Sequence, residues 1–401
     1  MSNIADLGQL HDCTGCGMCA AVCPVDAIQI RLTEDGFYMP KVDTEKCINC
    51  SKCVKTCYKF DASYHAHVEE DSDIPCYSAK NKNPEELKIS SSGAVSIELM
   101  RECLKRGYYV AGVAYDYEQE RAVTKIAKRP EELRQFQGSK YFQSYTEQAF
   151  REIVQDKSSQ KYAIFGTPCQ IYAFSKYAER THQEDRFFLV DIFCHGCPSF
   201  LVWKKYLAAK KEQLKTDNFD EIRFRSKSHG WHEFCFDFIY GTQHHVTSKI
   251  SDPFYELFFS NDTLNKSCYD CVARSSVEKA DLRLGDFWGA RCDMDTEGIS
   301  AVAICSERGE SVFSSIKQQF KCNKIQFNEV IKAQSYGTTY AVSTAVREQA
   351  LEILQEDVSL KRVIIRHRKL VPFKLRVKAL IKLILRVLPQ KQYMKIRKMF
   401  H

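Results

Sequence analysis

Eight of the 19 cysteines fall between Cys13 and Cys57, in two runs of identical spacing. The first is Cys13-x2-Cys16-x2-Cys19-x3-Cys23 with Pro24 behind it; the second is Cys47-x2-Cys50-x2-Cys53-x3-Cys57 with Tyr58 behind it. Three thiolates spaced in this way wrap one face of a [4Fe-4S] cube, and the fourth of each run reaches across to the other cube, the pattern of bacterial two-cluster ferredoxins. The spacing therefore assigns Cys13, Cys16, Cys19 and Cys57 to one cluster and Cys47, Cys50, Cys53 and Cys23 to a second. Tyr58 in place of the second proline leaves every ligand intact. Tetrahedral zinc sites usually pair separated C-x2-C knuckles, so two zinc ions are the weaker reading. Gly15 and Gly17 are expected to let the loop run close to the sulfides.

Such thiolates require a reducing compartment. The N-terminal stretch has no basic, apolar leader, which places the chain in the cytoplasm and argues against structural disulfides. No 18-residue apolar stretch is free of charge, so no spanning helix is expected. At 401 residues, 44% of them hydrophobic, the chain is long enough for two or three folded domains. Residues 1–75 carry 12 acidic and 6 basic side chains, a charge that suits a small electron carrier and equally an ordinary solvated face. The net charge of +7 hides an asymmetry: residues 361–401 hold 14 Lys/Arg and no Asp/Glu, leaving 44 basic against 51 acidic side chains on residues 1–360.

Three segments follow: 1–75, a two-cluster ferredoxin-like domain; 76–340, a larger domain; and 341–401, a basic helical tail. The polar stretch Asp71–Gly93 reads as the linker between the first two. Beyond it, apolar runs alternate with helical patterns, as in an α/β or α+β domain. Tyr108–Tyr115, Tyr162–Phe165 and Phe187–Phe193 read as buried strands, and Phe234–Tyr240 with His244–Ile250 as a hairpin. Two of these strands run into cysteine-bearing turns, Gly166-Thr167-Pro168-Cys169 and Cys194-His195-Gly196-Cys197-Pro198. Ligands sit beyond the carboxyl ends of strands in open parallel sheets, which makes both turns site candidates.

Cys169, Cys194, Cys197 and the pair Cys268-x2-Cys271 supply five candidates for one four-ligand site, read as a third [4Fe-4S] cluster ahead of structural zinc. The remaining six cysteines are isolated and read mostly as buried free thiols. No G-x-G-x-x-G follows a strand. Ser90-Ser91-Ser92-Gly93-Ala94 opens a helix and could bind phosphate, although such runs are most often plain N-caps. His195 is a candidate proton donor, with a hydrogen-bonded turn residue as the bland alternative. Lys140 could hold a phosphate or an anionic reduced flavin. Arg225 and Lys227 could bind an acidic substrate, but read better as a solvated strand edge. Asp286 orients a ligand hydroxyl or caps its turn.

Ser91-Ser92-Gly93, Gly138-Ser139-Lys140-Tyr141 with Gln143-Ser144, Gly166-Thr167-Pro168-Cys169-Gln170, Cys194-His195-Gly196 with Pro198-Ser199, Cys268-x2-Cys271, and Asp281 with Gly285-Asp286-Phe287-Trp288-Gly289 stand in one order along the chain. This set resembles the coenzyme F420 hydrogenase/dehydrogenase beta-subunit family over residues 1 to about 340, with a fused ferredoxin module. The resemblance implies an α/β flavin-binding domain and a non-covalent FAD near Ser91, Ser92, Gly93, Ser139, Lys140, Tyr141, Gly166, Thr167 and Gln170. Asp286 belongs to the same neighbourhood. Cys197 falls where relatives vary, so Cys169, Cys194, Cys268 and Cys271 become the preferred quartet. The substrate stays open, since many bacterial relatives occur without F420 and often beside polysaccharide-assembly genes.

The function expected is that of an iron–sulfur flavoprotein oxidoreductase, moving electrons between a low-potential carrier, [4Fe-4S] clusters, FAD and a two-electron substrate. One alternative is an electron-input subunit, F420- or ferredoxin-linked, serving a separate enzyme. The other is a non-enzymatic zinc protein or membrane adaptor. In the tail, Lys374, Lys378, Lys382 and Arg386 form one helical stripe opposite an apolar face, a pattern that suits the inner face of an anionic membrane and equally a helix docked on the body. Nucleic acid is not an expected partner.

Overall fold

Period-two and continuous apolar runs become strands here, and amphipathic runs become the helices that cover them. The computed structural model describes residues 3–7, 12–64, 74–247, 252–289 and 291–371. The N-terminal module holds α1 (Met18–Ala21), β1 (Ile28–Leu32), β2 (Tyr38–Val42) and α2 (Lys52–Thr56), with β1 and β2 paired antiparallel. There follow β3 (Cys76–Asn81), α3 (Pro84–Ile89), α4 (Val95–Lys105), β4 (Tyr108–Asp116), β5 (Arg121–Ala127), α5 (Glu147–Gln155), β6 (Lys161–Phe165), α6 (Pro168–Thr181) and β7 (Phe187–Ile192). The chain continues through α7 (Phe200–Leu214), β8 (Glu221–Ser226), β9 (Cys235–Tyr240), β10 (Gln243–Val246), α8 (Pro253–Ser260), β11 (Leu282–Asp286) and β12 (Ser300–Ile304). Last come α9 (Glu307–Ile316), β13 (Phe320–Ile325), α10 (Phe327–Ile331), α11 (Thr344–Gln355) and α12 (Leu360–Leu370).

Eight strands form one sheet in the order β13-β3-β12-β11-β7-β6-β4-β5. Its centre, β11-β7-β6-β4, is parallel, and the pairs toward both edges are antiparallel. The central strands are covered on both faces, which is why they read as continuous apolar runs. Ala163, Phe188 and Val190 pack toward α4 and α9, whereas Tyr162, Ile164, Phe187 and Leu189 pack toward α5 and α6. The carboxyl ends of β6, β7 and β11 therefore open on the same edge. A second, three-stranded sheet, β10-β9-β8, carries an aromatic core around Trp203, Phe224, Phe236 and Phe254.

Three expectations change. Six residues of the Asp71–Gly93 linker are β3, an interior strand between β13 and β12; its Ser78 and Asn81 are buried, so polarity masked a strand. The hairpin is β9 and β10 joined at Gly241-Thr242, with the end of its expected second strand outside the described residues. Residues 344–370 do not form a free tail: Leu351, Leu354, Leu360 and Val363 join the aromatic core. The stripe from Lys374 to Arg386 lies outside the described residues.

Candidate functional site

The N-terminal cysteines draw together as their spacing requires. Cys13, Cys16, Cys19 and Cys57 line one cavity of about 300 Å³, and the Cys19 and Cys57 thiols are pushed up first by burial and then by their neighbours in this set. Cys53 likewise feels Cys23 and Cys50 after burial. Backbone amides already point at sulfur, from Gly15 to Cys13 Sγ at 3.3 Å and from Ala27 to Cys23 Sγ at 3.3 Å. Without a cation, burial pushes Cys13 and Cys57 up to about 12. Crowded, buried thiols of this kind become thiolates when iron supplies the countercharge, which is how the residues present fit a cluster.

The module is bracketed onto the body through the loop that holds Cys13 and Cys16. Gln143 accepts from the Tyr38 amide at 2.8 Å and donates to the Thr14 carbonyl at 3.0 Å, and Thr146 Oγ1 donates to the Cys16 carbonyl at 2.9 Å. Gly15 and Gly17 serve this approach. A Cβ on Gly15 would collide with Gln143 Nε2 and the Tyr38 carbonyl, and one on Gly17 would collide with Thr146 Oγ1; φ is +64° and +87°. Their expected role, clearance for sulfide, becomes clearance for the partner domain.

Across this junction lies the second cysteine set. Cys169 heads α6; Cys194 and Cys197 follow β7; Cys268 and Cys271 sit in the loop before β11. Burial, then Cys271, Cys194 and Cys16, push the Cys169 thiol well up, and burial pushes Cys194 to about 12 and Cys268 to about 11. Cys197 donates its amide to Cys268 Sγ at 3.4 Å, and its thiol feels Cys268, Cys194, Cys169 and Cys271. All five cysteines thus converge, and Cys197 stands among the preferred four rather than apart. Among the described residues no group of three or more His, Cys, Asp or Glu side chains is spaced to hold a single metal ion. Tyr58, the residue in place of the second proline, is 3% exposed. Burial raises its phenol, followed by Cys169, Cys271 and Cys16, so it stands between the first cluster's ligands and the third site.

A cleft of about 460 Å³ runs from Thr14–Cys16 past Cys169, Cys194 and Cys197. Ser91, Ser92, Ser139, Lys140, Tyr141, Gly166, Thr167, Gln170, His195 and Asp286 line it. Gly93 does not: it is packed against β3 and β12, its amide donating to Ser300 Oγ at 2.9 Å. Ser139 donates from N and Oγ to Ser91 Oγ at 2.9 and 3.0 Å, joining the first two motifs. The Gly166–Gln170 turn is closed by the Thr167 amide on Gln170 Oε1 at 3.0 Å, and Gln170 Nε2 reaches Ser144 Oγ at 2.9 Å.

The ionisable candidates are held differently from expectation. Lys140 Nζ turns back onto the carbonyls of Gln135 and Gln137 at 3.1 and 2.9 Å, and burial lowers it to about 7. Arg225 is no solvated edge. It is 5% exposed, stacked 3.8 Å from the Phe234 ring centre, and bonded to Asp286 at 3.1 Å and Tyr141 at 3.2 Å. Asp286 also accepts from Trp231 Nε1 at 3.2 Å, which makes it an ion-pair anchor. Lys227 is half-buried and ties together the carbonyls of Leu87, Ser92 and Glu297. Packing of β8 against the aromatic core withdrew Arg225 from water, and backbone carbonyls engage Lys227.

His195 keeps both ring nitrogens engaged: Nε2 with Asn261 Oδ1 at 2.7 Å, Nδ1 with Ser335 Oγ at 3.2 Å and the Tyr340 hydroxyl at 3.1 Å. Burial lowers its pKa, keeping the imidazole neutral; with Asn261 accepting from Nε2, Nδ1 carries the lone pair, which faces the hydroxyls of Tyr340 and of Ser335, a residue that lines the cleft. Sequence reasoning missed these partners and the aromatic wall of Phe234, Phe258, Phe259 and Trp288. The Phe258-Phe259 doublet in an amphipathic helix was the only local signal for that wall.

Comparison with known proteins bears on both halves. Residues 12–60 match the 4Fe-4S dicluster domain, and residues 159–329 match the C-terminal domain of the coenzyme F420 hydrogenase/dehydrogenase beta subunit. A relative from Acetobacterium woodii, one of the subunits of its Na(+)-translocating ferredoxin:NAD(+) oxidoreductase complex, is 56% identical over 52 residues, 13% of this chain and 14% of that protein. The chain thus spans a small part of that relative. The beta subunit of coenzyme F420 hydrogenase from Methanococcus voltae is 25% identical over 251 residues, 56% of this chain and 79% of that protein. A chain of the F420-reducing [NiFe] hydrogenase complex from Methanosarcina barkeri, solved with xenon, aligns at 18% identity over 75% of this chain and 93% of its own, TM-score 0.45. The N-terminal cysteines are therefore iron–sulfur ligands of an electron-transfer protein, not zinc knuckles. No helix among the described residues is long and apolar enough to cross a membrane. On these matches residues 159–329 carry the C-terminal domain of the coenzyme F420 hydrogenase/dehydrogenase beta subunit, and residues 12–60 of the same polypeptide carry a 4Fe-4S dicluster domain.

Proposed function

We propose that the chain relays electrons from its dicluster module, through a third [4Fe-4S] cluster, to an FAD in the cleft and thence to a two-electron substrate. One observation carries this reading: the cleft that holds the Ser91, Ser139 and Gly166 segments begins at the Cys16 loop and passes Cys169 and Cys194. Its hydroxyl-rich end suits a phosphate-bearing group, and its wall of Phe234, Phe258, Phe259 and Trp288 suits a flat ring. A bound flavin would supply the exchange between single electrons and electron pairs. Around it, Ser91 and Ser139 would orient the polar end. The neutral His195 would hold a proton acceptor at Nδ1 behind Ser335, and Lys140, titrating near neutrality, would supply a cation or a proton at Nζ.

Anaerobic purification with iron, zinc and flavin analysis tests the reading. Three four-iron clusters predict about 12 iron atoms and one FAD per chain. About eight iron with stoichiometric zinc overturns the third cluster, and a cleft that takes no flavin at all overturns the relay.

A second reading, an electron-input subunit without its own substrate, is favoured by the name of the Methanococcus relative, a hydrogenase subunit. Turnover of a reduced carrier by the isolated chain separates the two. The basic stripe beyond residue 371 is proposed to rest on an anionic membrane surface, a reading that salt-sensitive sedimentation with anionic vesicles tests.

A further inference from the structure

Three arginines among the described residues are buried: Arg225, Arg274 and Arg283. A guanidinium stays charged at any relevant pH, and burying it without an anion is strongly unfavourable. Arg225 is paired with Asp286, and Arg283 is forked onto Asp191. Arg274, 3% exposed, has no carboxylate partner among the described residues. Its hydrogen bonds go to backbone carbonyls alone: Nη1 to His195 at 3.1 Å and Cys268 at 2.9 Å, Nη2 to Thr338. Nε is buried without a partner, and the ring of Tyr340 lies 4.5 Å from the guanidinium carbon.

The anions within its reach are the cysteines. Two of its three carbonyl partners belong to Cys268 and to His195, the residue after Cys194, which holds the guanidinium against the backbone of two of these cysteines. The loop is also locked, because Arg283 donates to the carbonyls of Ala273 and Arg274 at 3.1 Å each. Asp270, between the two ligand cysteines, is exposed, where solvent screens its charge.

Resting on the reading that these cysteines hold a cluster, we propose that Arg274 is the fixed countercharge of the third cluster, raising its reduction potential above what the same ligands would give alone. Reduction adds one negative charge to the cluster. A buried cation beside it stabilises the reduced form more than the oxidised one, and bulk salt screens such a pair weakly. Arg274 is a positioning residue in this account, since it acts on the cluster through its ligands.

The test is an anaerobic redox titration of the full-length holoprotein, followed by electron paramagnetic resonance, for wild type, Arg274→Gln and Arg274→Lys. The expected result is a negative shift of the third cluster's potential in Arg274→Gln, unchanged potentials for the other two clusters, and substantial recovery in Arg274→Lys. An unshifted potential in Arg274→Gln at full iron content overturns the proposal. Equal shifts in both variants also overturn it, because hydrogen-bond geometry and not charge would then be responsible. If Arg274→Gln loses the third cluster, retention at wild-type potential in Arg274→Lys supports a charge requirement, and loss from both overturns it. Wild-type protein with about eight iron atoms instead defeats the underlying cluster reading, a failure that the iron assay distinguishes.

Discussion

The dicluster module and the third cysteine site use the same ligand, yet they are built in opposite ways. In the module, loops of a few residues place three thiols each, and Cys50 is exposed to solvent. At the third site, five cysteines arrive from three distant segments, at the ends of β6 and β7 and in the loop before β11. Their placement depends on sheet register and on the buried Asp191–Arg283 pair, each side chain 1% exposed. Local spacing makes a cluster site that survives changes elsewhere. A site assembled by the fold makes its ligands answerable to the core.

The largest expected effect falls on composition. Cys268→Ser should take the iron content from about 12 to about 8 atoms per chain, with the module's spectrum intact; loss of all iron would show that the two regions are not independent. Next comes Asp191→Asn, which leaves Arg283 buried without its anion. A cost of about 3–5 kcal/mol is expected, read by chemical denaturation, with the third cluster lost before the module's pair. Loss in the reverse order would break the contrast.

Gly15→Ala tests the junction. The added Cβ would strike the Tyr38 carbonyl as well as Gln143, and about 2–3 kcal/mol of destabilisation is expected. Gly107→Ala is the control: φ there is +81° but nothing lies within 4 Å, so only the backbone cost of about 1 kcal/mol should appear. Similar melting shifts for the two would remove the docking role of Gly15.

The smallest effect is on pH dependence. Burial lowers Lys140 to about 7, whereas an unfolded lysine titrates near 10.4. Between these values the unfolded chain binds more protons, so stability should rise from about pH 7 to pH 10, by about 1 kcal/mol once partial exposure is allowed for. Lys140→Met should flatten that rise in denaturation curves taken across the window. An unchanged slope would mean that the ammonium stays protonated against its carbonyls.

The contrast between the regions also explains what could be read in advance. The dicluster ligands were legible because their geometry is local. The strands β4, β6 and β7 were legible because burial on both faces leaves continuous apolar runs. β3 was not, since Ser78 and Asn81 are polar residues satisfied inside the sheet. The turns after β6 and β7 were legible as strand ends and the serine run as a helix start, whereas the Gly138–Tyr141 segment was tied to them only through the family's ordered motifs, and the polar chemistry was partly misjudged. Arg225, Lys227 and Asp286 are spent on one another and on backbone groups, a fate decided by how β8 packs against the aromatic core. Arg274 carried a signal, a cation three residues past a ligand cysteine, but its lack of a carboxylate partner could be seen only in three dimensions.

The bracket formed by Gln143 and Thr146 has a kinetic consequence. Because both side chains hold the loop that carries Cys13 and Cys16, and glycine clearance lets it seat flush, the module does not need to swing in order to deliver charge. Electron passage into the body should then be set by tunnelling distance and driving force, so its rate should not fall when glycerol or sucrose thickens the solvent. Carriers tethered by a flexible linker, which diffuse between docking positions, would slow in proportion.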